Sequence, residues 1–165
     1  MLACVDVDYR DDGSAVAACV GFDEWTSDRP ANEWIARLDR VEPYVPGALY
    51  RRELPCLLAV LARAGRPFDA VVVDAYVTLD DRGAPGLGAH LHAALGGATP
   101  VVGVAGTPFA TARAIPVLRG TGKQPLWVTT LGVDAAITAE RVRAMHGAAR
   151  IPTLLRAVDR LARTA

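Results

Sequence analysis

The chain has 165 residues, a length that one hydrophobic core can serve, so we expect a single domain over residues 1–165. A hydrophobic content of 52% with 22% charged residues excludes an intrinsically disordered protein. The formal charge is zero, from 18 basic and 18 acidic residues, which excludes a global positive field for nucleic acid and requires any such site to be local.

The first part of the chain predicts a β-hairpin followed by a third antiparallel strand. Two short apolar runs, 2–9 and 15–22, flank Asp12-Gly13, and Asp-Gly between such runs is a hairpin signal. Residues 34–42 alternate apolar with polar side chains, as a half-exposed strand does. The segment 43–47 ends this strand because its prolines lack the N–H groups that a strand ladder needs.

The rest of the chain predicts helices and strands packed as an α/β fold. Residues 48–64 have helical apolar spacing, and Gly65 follows at the position of a helix C-cap. The chain order predicts a mixed sheet with its first three strands antiparallel, later strands joined by parallel crossovers, and helices on both faces. The remaining predicted elements are strands at 69–74, 101–105, 113–118 and 125–131, and helices at about 87–95, 135–146 and 152–163.

Three acidic residues stand where a metal-dependent site can form. Asp6 lies inside the first strand, where an uncompensated charge is costly to bury, and Asp74 ends the most apolar strand. Glu53 lies in the first helix, and the three acids converge if the two strands are neighbours and the helix packs over them. Magnesium needs few carboxylates because water and phosphate oxygens complete its shell. Each acid alone is better explained as a turn cap or an arginine partner.

A series of short motifs covers most of the chain in an order typical of one known family. The most specific part is a Tyr-x-Pro-Gly turn followed closely by Arg-Glu-x-Pro, between two strands that carry aspartate. The motifs are Val5-Asp6-Val7, Pro43-Tyr44-Val45-Pro46-Gly47, Arg52-Glu53-Leu54-Pro55, Val72-Val73-Asp74, Gly86-Leu87-Gly88-Ala89-His90-Leu91, the run 100–105 and the run 150–156. In these motifs the chain resembles the endonuclease V family.

The resemblance implies a ribonuclease-H-like fold and a DNA-repair type of activity that depends on Mg²⁺ or Mn²⁺. In that activity a phosphodiester is hydrolysed 3′ to a deaminated base, chiefly inosine, in DNA or RNA. The family's metal-binding carboxylates correspond to Asp6, Glu53 and Asp74. Its partner is a strand that contains a deaminated base, and we expect a monomer.

The resemblance also assigns residues to nucleic-acid binding. The family's wedge turn, which opens the strand at the lesion, corresponds to Tyr44, Pro46 and Gly47, and Arg52 belongs to the same surface. An aromatic side chain held between prolines can stack in the place of a base. Without the resemblance, Tyr44 would be interpreted as a surface turn aromatic.

The sequence departs from the family at positions that carry polar active-site groups. The family's histidine after the second aspartate is replaced by Asp80, its lysine after Gly-Val-Ala by Gly106, and its late Gly-His pair by Gly132-Val133. Losing one such donor can cost on the order of 10²–10³ in rate. Asp80 could add a metal ligand, and Arg82 or Lys123 could supply positive charge. The connection between residues 106 and 125 is also short for the family.

Two functions follow from this pattern, and a third is weak. The first is a Mg²⁺-dependent endonuclease with reduced activity, and the second is an impaired relative that binds nucleic acid or a partner. A serine or cysteine hydrolase is disfavoured because neither Ser14 nor Ser27 lies in Gly-x-Ser-x-Gly and Cys56 has no evident histidine partner in the sequence. A zinc site is disfavoured because His90 and His92 cannot share a helix face.

Cellular location is predicted from what the sequence lacks. The N-terminus has no basic start with a long apolar stretch, and no later run reaches membrane-spanning length. We therefore expect a cytoplasmic protein that does not contact a membrane. Cys4, Cys19 and Cys56 lie in apolar stretches without paired spacing, which predicts reduced and mostly buried thiols.

Overall fold

The computed structural model describes residues 1–108 and 113–165. The predicted strands and helices are all present in these ranges, with shifts at their ends. The strands are β1 (Leu2–Tyr9), β2 (Ala15–Phe22), β3 (Asn32–Leu38), β4 (Val71–Val73), β5 (Val101–Ala105), β6 (Ile115–Val117) and β7 (Leu126–Leu131). The helices are α1 (Leu49–Ala64), α2 (Leu87–Ala94), α3 (Ala135–Ala144) and α4 (Thr153–Thr164).

The strands form one mixed sheet in the order β3-β2-β1-β4-β5-β7-β6. The first three strands pair antiparallel, as predicted, and β1, β4 and β5 pair parallel. The expected parallel crossovers end there, because β5 pairs antiparallel with β7 and β7 with β6. The segment between β6 and β7 is too short for a parallel crossover, which needs a dozen or more residues.

The end of the third strand and the connection between residues 106 and 125 were both predicted from the sequence. The third strand was predicted over 34–42, but β3 ends at Leu38, which pairs with Ala15 at the very start of β2. Beyond that pair β2 has no further residue to bond, so the strand cannot continue. The short connection between residues 106 and 125 includes residues 109–112, which lie outside the described residues.

Helices cover both faces of the sheet, as predicted. Alternate residues of β1 point to opposite faces, so Cys4 packs in a core with α3 and α4 while Val5 packs in a core with α1 and α2. All three cysteines are buried and free, which confirms their prediction. Within the described residues, no helix has both the length and the apolar character that crossing a bilayer requires.

A buried arginine fixes the connection between α3 and α4. Arg119 is 4% exposed, and its guanidinium donates to backbone carbonyls around that connection. Such multiple bonding satisfies a buried cation and several otherwise unpaired carbonyls together. The carbonyl oxygens are those of Arg143 (3.4 Å), Met145 (2.5 Å), Gly147 (2.9 Å), Ala149 (2.8 Å) and Arg150 (3.3 Å).

Replacing Arg119 with methionine should destabilise the fold by about 3 kcal/mol, because the backbone carbonyls around the α3–α4 connection lose the donor that joins them. Urea unfolding measures this change as a lower midpoint. The exposed Arg66 provides the control, since Arg66→Met should leave stability within about 0.5 kcal/mol of the wild type. Equal midpoints for the two variants would contradict the structural role of Arg119.

Candidate active site

The parallel pairing of β1 with β4 brings two aspartates to one edge of the sheet. Val5 pairs with Val73, and Asp6 and Asp74 are the next residue on each strand path. The two carboxylates therefore lie side by side at the carboxyl edge, where ligand sites of open α/β sheets form. This confirms that the strands carrying them are neighbours.

Burial and neighbouring charge both act on Asp6. The surrounding protein raises the pKa of its carboxyl group from an ordinary value of 3.8 to about 7, chiefly through burial and then through the negative charges of Asp74 and Asp159. The N–H of Val7, 2.9 Å from Oδ1, partly offsets this by stabilising the charged form. The strand therefore holds Asp6 in a place that disfavours its ionisation unless a cation is near.

Glu53 reaches the same site from α1. Burial first, and then the charges of Asp6 and Asp74, raise the pKa of its carboxyl group to about 7, and the charge of Arg52 opposes this shift. Asp74 itself is solvent-exposed at the mouth of the site, yet desolvation and the charge of Asp159 raise its pKa as well. The three predicted acids thus influence one another electrostatically, as their convergence requires.

A fourth acid, Asp159 on α4, belongs to this site and was missed by the sequence reasoning. It lines a cavity of about 300 Å³ together with Asp6 and Asp74. Its Oδ1 accepts from Nε of Arg163 at 3.0 Å, so this acid has a cationic partner. The available signal was an acid beside the buried Val158 and Ala162 of an amphipathic helix.

The acids form an open group rather than a closed metal cage. In the two described ranges, no cluster of three or more His, Cys, Asp or Glu side chains has an arrangement that could hold a metal ion by itself. Asp6, Glu53 and Asp74 make no salt bridge in the same ranges. Their assignment as metal ligands stays a prediction.

The predicted substitute for the family histidine, Asp80, is not among the cavity-lining residues. Its Oδ1 accepts from the backbone N–H of Arg82 at 2.9 Å and of Ala84 at 3.0 Å. Such bonds build the turn after β4. Arg82 is exposed on that turn, and Lys123 is exposed in the segment before β7.

Other arginines than the predicted ones surround the cavity. Arg156 and Arg163 of α4 line it and are exposed to solvent. At Gly106, where the family has lysine, an added Cβ would lie 3.6 Å from the guanidinium of Arg150. Arg150 donates to the carbonyls of Gly106 and, at 2.9 Å, of Pro125, so it supplies positive charge near that position.

The predicted wedge turn lies beside a second cavity. Tyr44 is 56% exposed, and Pro46 and Gly47 are exposed with it. Gly47 adopts a φ of 78°, a left-handed conformation that other residues rarely accept. The second cavity, of about 340 Å³, is mostly apolar and shares Asp74 and Gly106 with the first. Its lining includes Gly47, Leu49, Tyr50, Tyr76, Leu79 and Leu87.

Comparison with known proteins decides the family. A model of the family described as endonuclease V matches residues 1–146. The chain belongs to the endonuclease V family. An endonuclease V from Streptomyces avermitilis is 33% identical over 183 aligned positions, which cover 98% of this chain and 78% of that protein. One from Xanthomonas oryzae is 39% identical over 106 residues, which cover 64% of this chain and 43% of the relative. The match thus spans less than half of the Xanthomonas protein.

Solved structures of endonuclease V share the fold. The crystal structure of the Streptomyces avermitilis protein has a TM-score of 0.76 and 30% identity, over 98% of this chain and 79% of that one. Endonuclease V of Ciona intestinalis, solved with a 24mer DNA containing an inosine followed by a ribo-adenosine, has a TM-score of 0.79 over 98% of this chain and 84% of its own. Its identity of 14% shows similarity of fold alone.

The raised pKa values of Asp6 and Glu53 predict how metal-free stability depends on pH. Between the ordinary pKa near 4 and the folded value of about 7, the folded protein holds protons that the unfolded chain releases. These groups therefore lower the free energy of unfolding as the pH rises through that window. Thermal unfolding in EDTA should give a lower Tm at pH 8 than at pH 5.5.

Asp6→Asn should reduce this difference in Tm because it removes one of the two groups. Asp23→Asn changes an exposed aspartate in the turn after β2, at the opposite edge of the sheet, and should leave the difference unchanged. A difference in Tm that is the same in Asp6→Asn and in the wild type would contradict the electrostatic description of the site.

Proposed function

We propose that this protein is a metal-dependent endonuclease that hydrolyses a phosphodiester 3′ to a deaminated base, chiefly inosine, in DNA or RNA, and so acts in DNA repair. The observation that carries the proposal is the pair of adjacent aspartates on β1 and β4, joined by Glu53, beside the cavity under the Tyr44 turn. Membership of the endonuclease V family supports the same reaction.

The chemistry of the acids fits Mg²⁺ or Mn²⁺. Asp6, Glu53 and Asp74 offer hard oxygen donors whose charges are disfavoured by burial and by one another, and a bound cation would relieve both effects. These three residues would hold the ion, which would activate water and neutralise charge on the phosphate. Few protein ligands suffice, so an open group of acids is compatible with this role.

The second cavity offers a binding site for the deaminated base. A base can be reached for chemistry or inspection only when it is taken out of the stack, and an aromatic side chain can fill the gap that it leaves. Tyr44 is exposed, and Gly47 of the same turn lines a mostly apolar cavity that shares Asp74 with the acidic one. A base in the second cavity would therefore bring its backbone phosphate towards the acids.

A binding role without catalysis is the second candidate. It is favoured by Asp80, whose carboxylate accepts backbone N–H groups of its own turn, and by Gly106, which has no side chain to replace the family lysine. Arg150, Arg156 and Arg163 offset part of this loss by placing positive charge around the first cavity. The two candidates differ in cleavage and share strand binding.

Asp74→Asn should abolish nicking of an inosine-containing strand, because it removes one carboxylate oxygen and the negative charge from the group of three acids. Nicking of a labelled oligonucleotide with Mg²⁺ or Mn²⁺ measures the effect. Asp23→Asn is the matched control and should nick at the wild-type rate, since Asp23 lies at the opposite edge of the sheet. A wild type that binds the strand but nicks it with neither metal would support the second candidate.

Tyr44→Ala should weaken action on double-stranded inosine substrates by about 5- to 150-fold, the equivalent of the 1–3 kcal/mol that one base–aromatic stack contributes. Single-stranded substrates should lose less, because no stacked duplex has to be opened. Tyr44→Phe keeps the ring and serves as the control. Equal losses on the two substrates would contradict a wedge role and leave Tyr44 as a surface turn residue.

A further inference from the structure

An arginine and a tyrosine stack at the border of the acidic site. Tyr9 is the last residue of β1, and Arg52 lies near the start of α1, next to Glu53. The guanidinium carbon of Arg52 is 3.6 Å from the centroid of the Tyr9 ring. Burial raises the pKa of both the Tyr9 hydroxyl group and the Glu53 carboxyl group, and the charge of Arg52 opposes both shifts, so the stack lies close to the acids.

Arg52 makes no ion pair despite this acidic surrounding. Across residues 1–108 and 113–165, its guanidinium forms neither a salt bridge nor a hydrogen bond. Its Nε is buried without a partner, and so is the hydroxyl oxygen of Tyr9. Buried polar groups almost always have a hydrogen-bond partner. An arginine without one, next to carboxylates, therefore needs an explanation.

Stacking explains how Arg52 stays apart from the acids. A cation over an aromatic face gains up to about 2 kcal/mol when desolvated, which competes with a partly exposed ion pair. The stack fixes the plane of the guanidinium and leaves its terminal donors unengaged. A planar fork with unengaged donors matches the two oxygens of a phosphate.

We propose that Tyr9 is a positioning residue that holds Arg52 off the carboxylates, so that Arg52 binds a phosphate of the nucleic-acid backbone next to the acidic site. The proposal rests on the proposed function and extends it to a residue of β1 outside the acidic group. Without the ring, Arg52 would turn to Glu53 or Asp6 and neutralise an acid instead of binding the strand.

The hydroxyl group of Tyr9 has no part in this role. Its oxygen is buried and has no hydrogen-bond partner in the described part of the chain, whereas the ring face contacts Arg52. Tyr9→Phe should therefore keep the wild-type behaviour, and Tyr9→Leu should lose it. This pair of variants separates the aromatic face from the polar group.

The test measures binding of a labelled, inosine-free single strand to the protein with Mg²⁺. Fluorescence anisotropy gives the binding constant at each of a series of salt concentrations. Contacts to the nucleic-acid backbone do not depend on the base. A strand without inosine therefore measures these contacts while the strand itself is not cleaved. The slope of log K against log salt is negative, and each lost phosphate contact reduces its magnitude by about 0.7 on a single strand.

Arg52→Met and Tyr9→Leu should each weaken binding about tenfold or more and reduce the magnitude of the slope by about 0.7. The double variant should bind no more weakly than Arg52→Met alone, because both changes remove the same contact. Arg52→Lys keeps the charge but has no flat face to stack, and it should lose the contact as well. It tests the proposal without changing Tyr9, in case Tyr9→Leu does not fold.

Three results would overturn the proposal: a wild-type slope in Tyr9→Leu or Arg52→Lys, equal losses in Tyr9→Phe and Tyr9→Leu, or additive losses in the double variant. Nicking of inosine strands by the wild type distinguishes this failure from failure of the proposed function. If the wild type nicks but the slopes do not change, only the role of Tyr9 is wrong. If the wild type binds no strand, both proposals fall together.

Discussion

Carboxylates held side by side without a cation repel one another, and the site depends on the fold overcoming that repulsion. Asp6 and Asp74 are adjacent because β1 and β4 pair in one register, which sets them at the same edge of the sheet. Glu53 joins them from a helix on one face, and Asp159 from a helix on the other. Burial raises the pKa of each of the first three acids, and the negative charge of a neighbouring acid raises it as well.

Arginines bonded to backbone carbonyls hold the elements that carry the acids. Arg10 follows β1 and donates to the carbonyls of Arg163 (2.9 Å), Ala162 (3.1 Å) and Ala165 (2.9 Å) at the end of α4. Cations near the carboxyl end of a helix also interact favourably with its dipole. At the other end of α4, Arg119 donates to the carbonyl of Ala149 at 2.8 Å, and Arg150, in the segment that leads into the helix, donates to the carbonyl of Pro125 at 2.9 Å. These bonds connect α4, and with it Asp159, to the sheet.

Much of this architecture could be predicted from local sequence patterns. Patterns among neighbouring residues predict the hairpin, the buried strand β4 and the helix α1. The expected packing of these elements against one another predicted that Asp6, Glu53 and Asp74 lie together. The end of β3 could not be predicted in the same way, because it depends on where its partner β2 begins. The antiparallel pairing of β7 could not be predicted either, because it depends on the short β6–β7 segment, which leaves no room for the usual parallel crossover.

The limits of sequence reasoning were greater at the site. Asp159 is far from the other acids in the chain, and only the packing of α4 on the sheet brings it to them. The motif position of Asp80 suggested that it could add a metal ligand, but it could not reveal that the Asp80 carboxylate accepts two backbone N–H groups of its own turn. The stack of Arg52 on Tyr9 joins residues that no local pattern connects.

The proposed reaction requires that Asp6, Glu53 and Asp74 share a divalent cation. The most direct measurement is a crystal structure of the full chain grown with Mn²⁺, with data collected to give anomalous differences from manganese. We expect an anomalous peak bound by oxygens of these acids at the carboxyl edge of β1 and β4. A well-ordered site with no manganese peak at saturating concentration would contradict it.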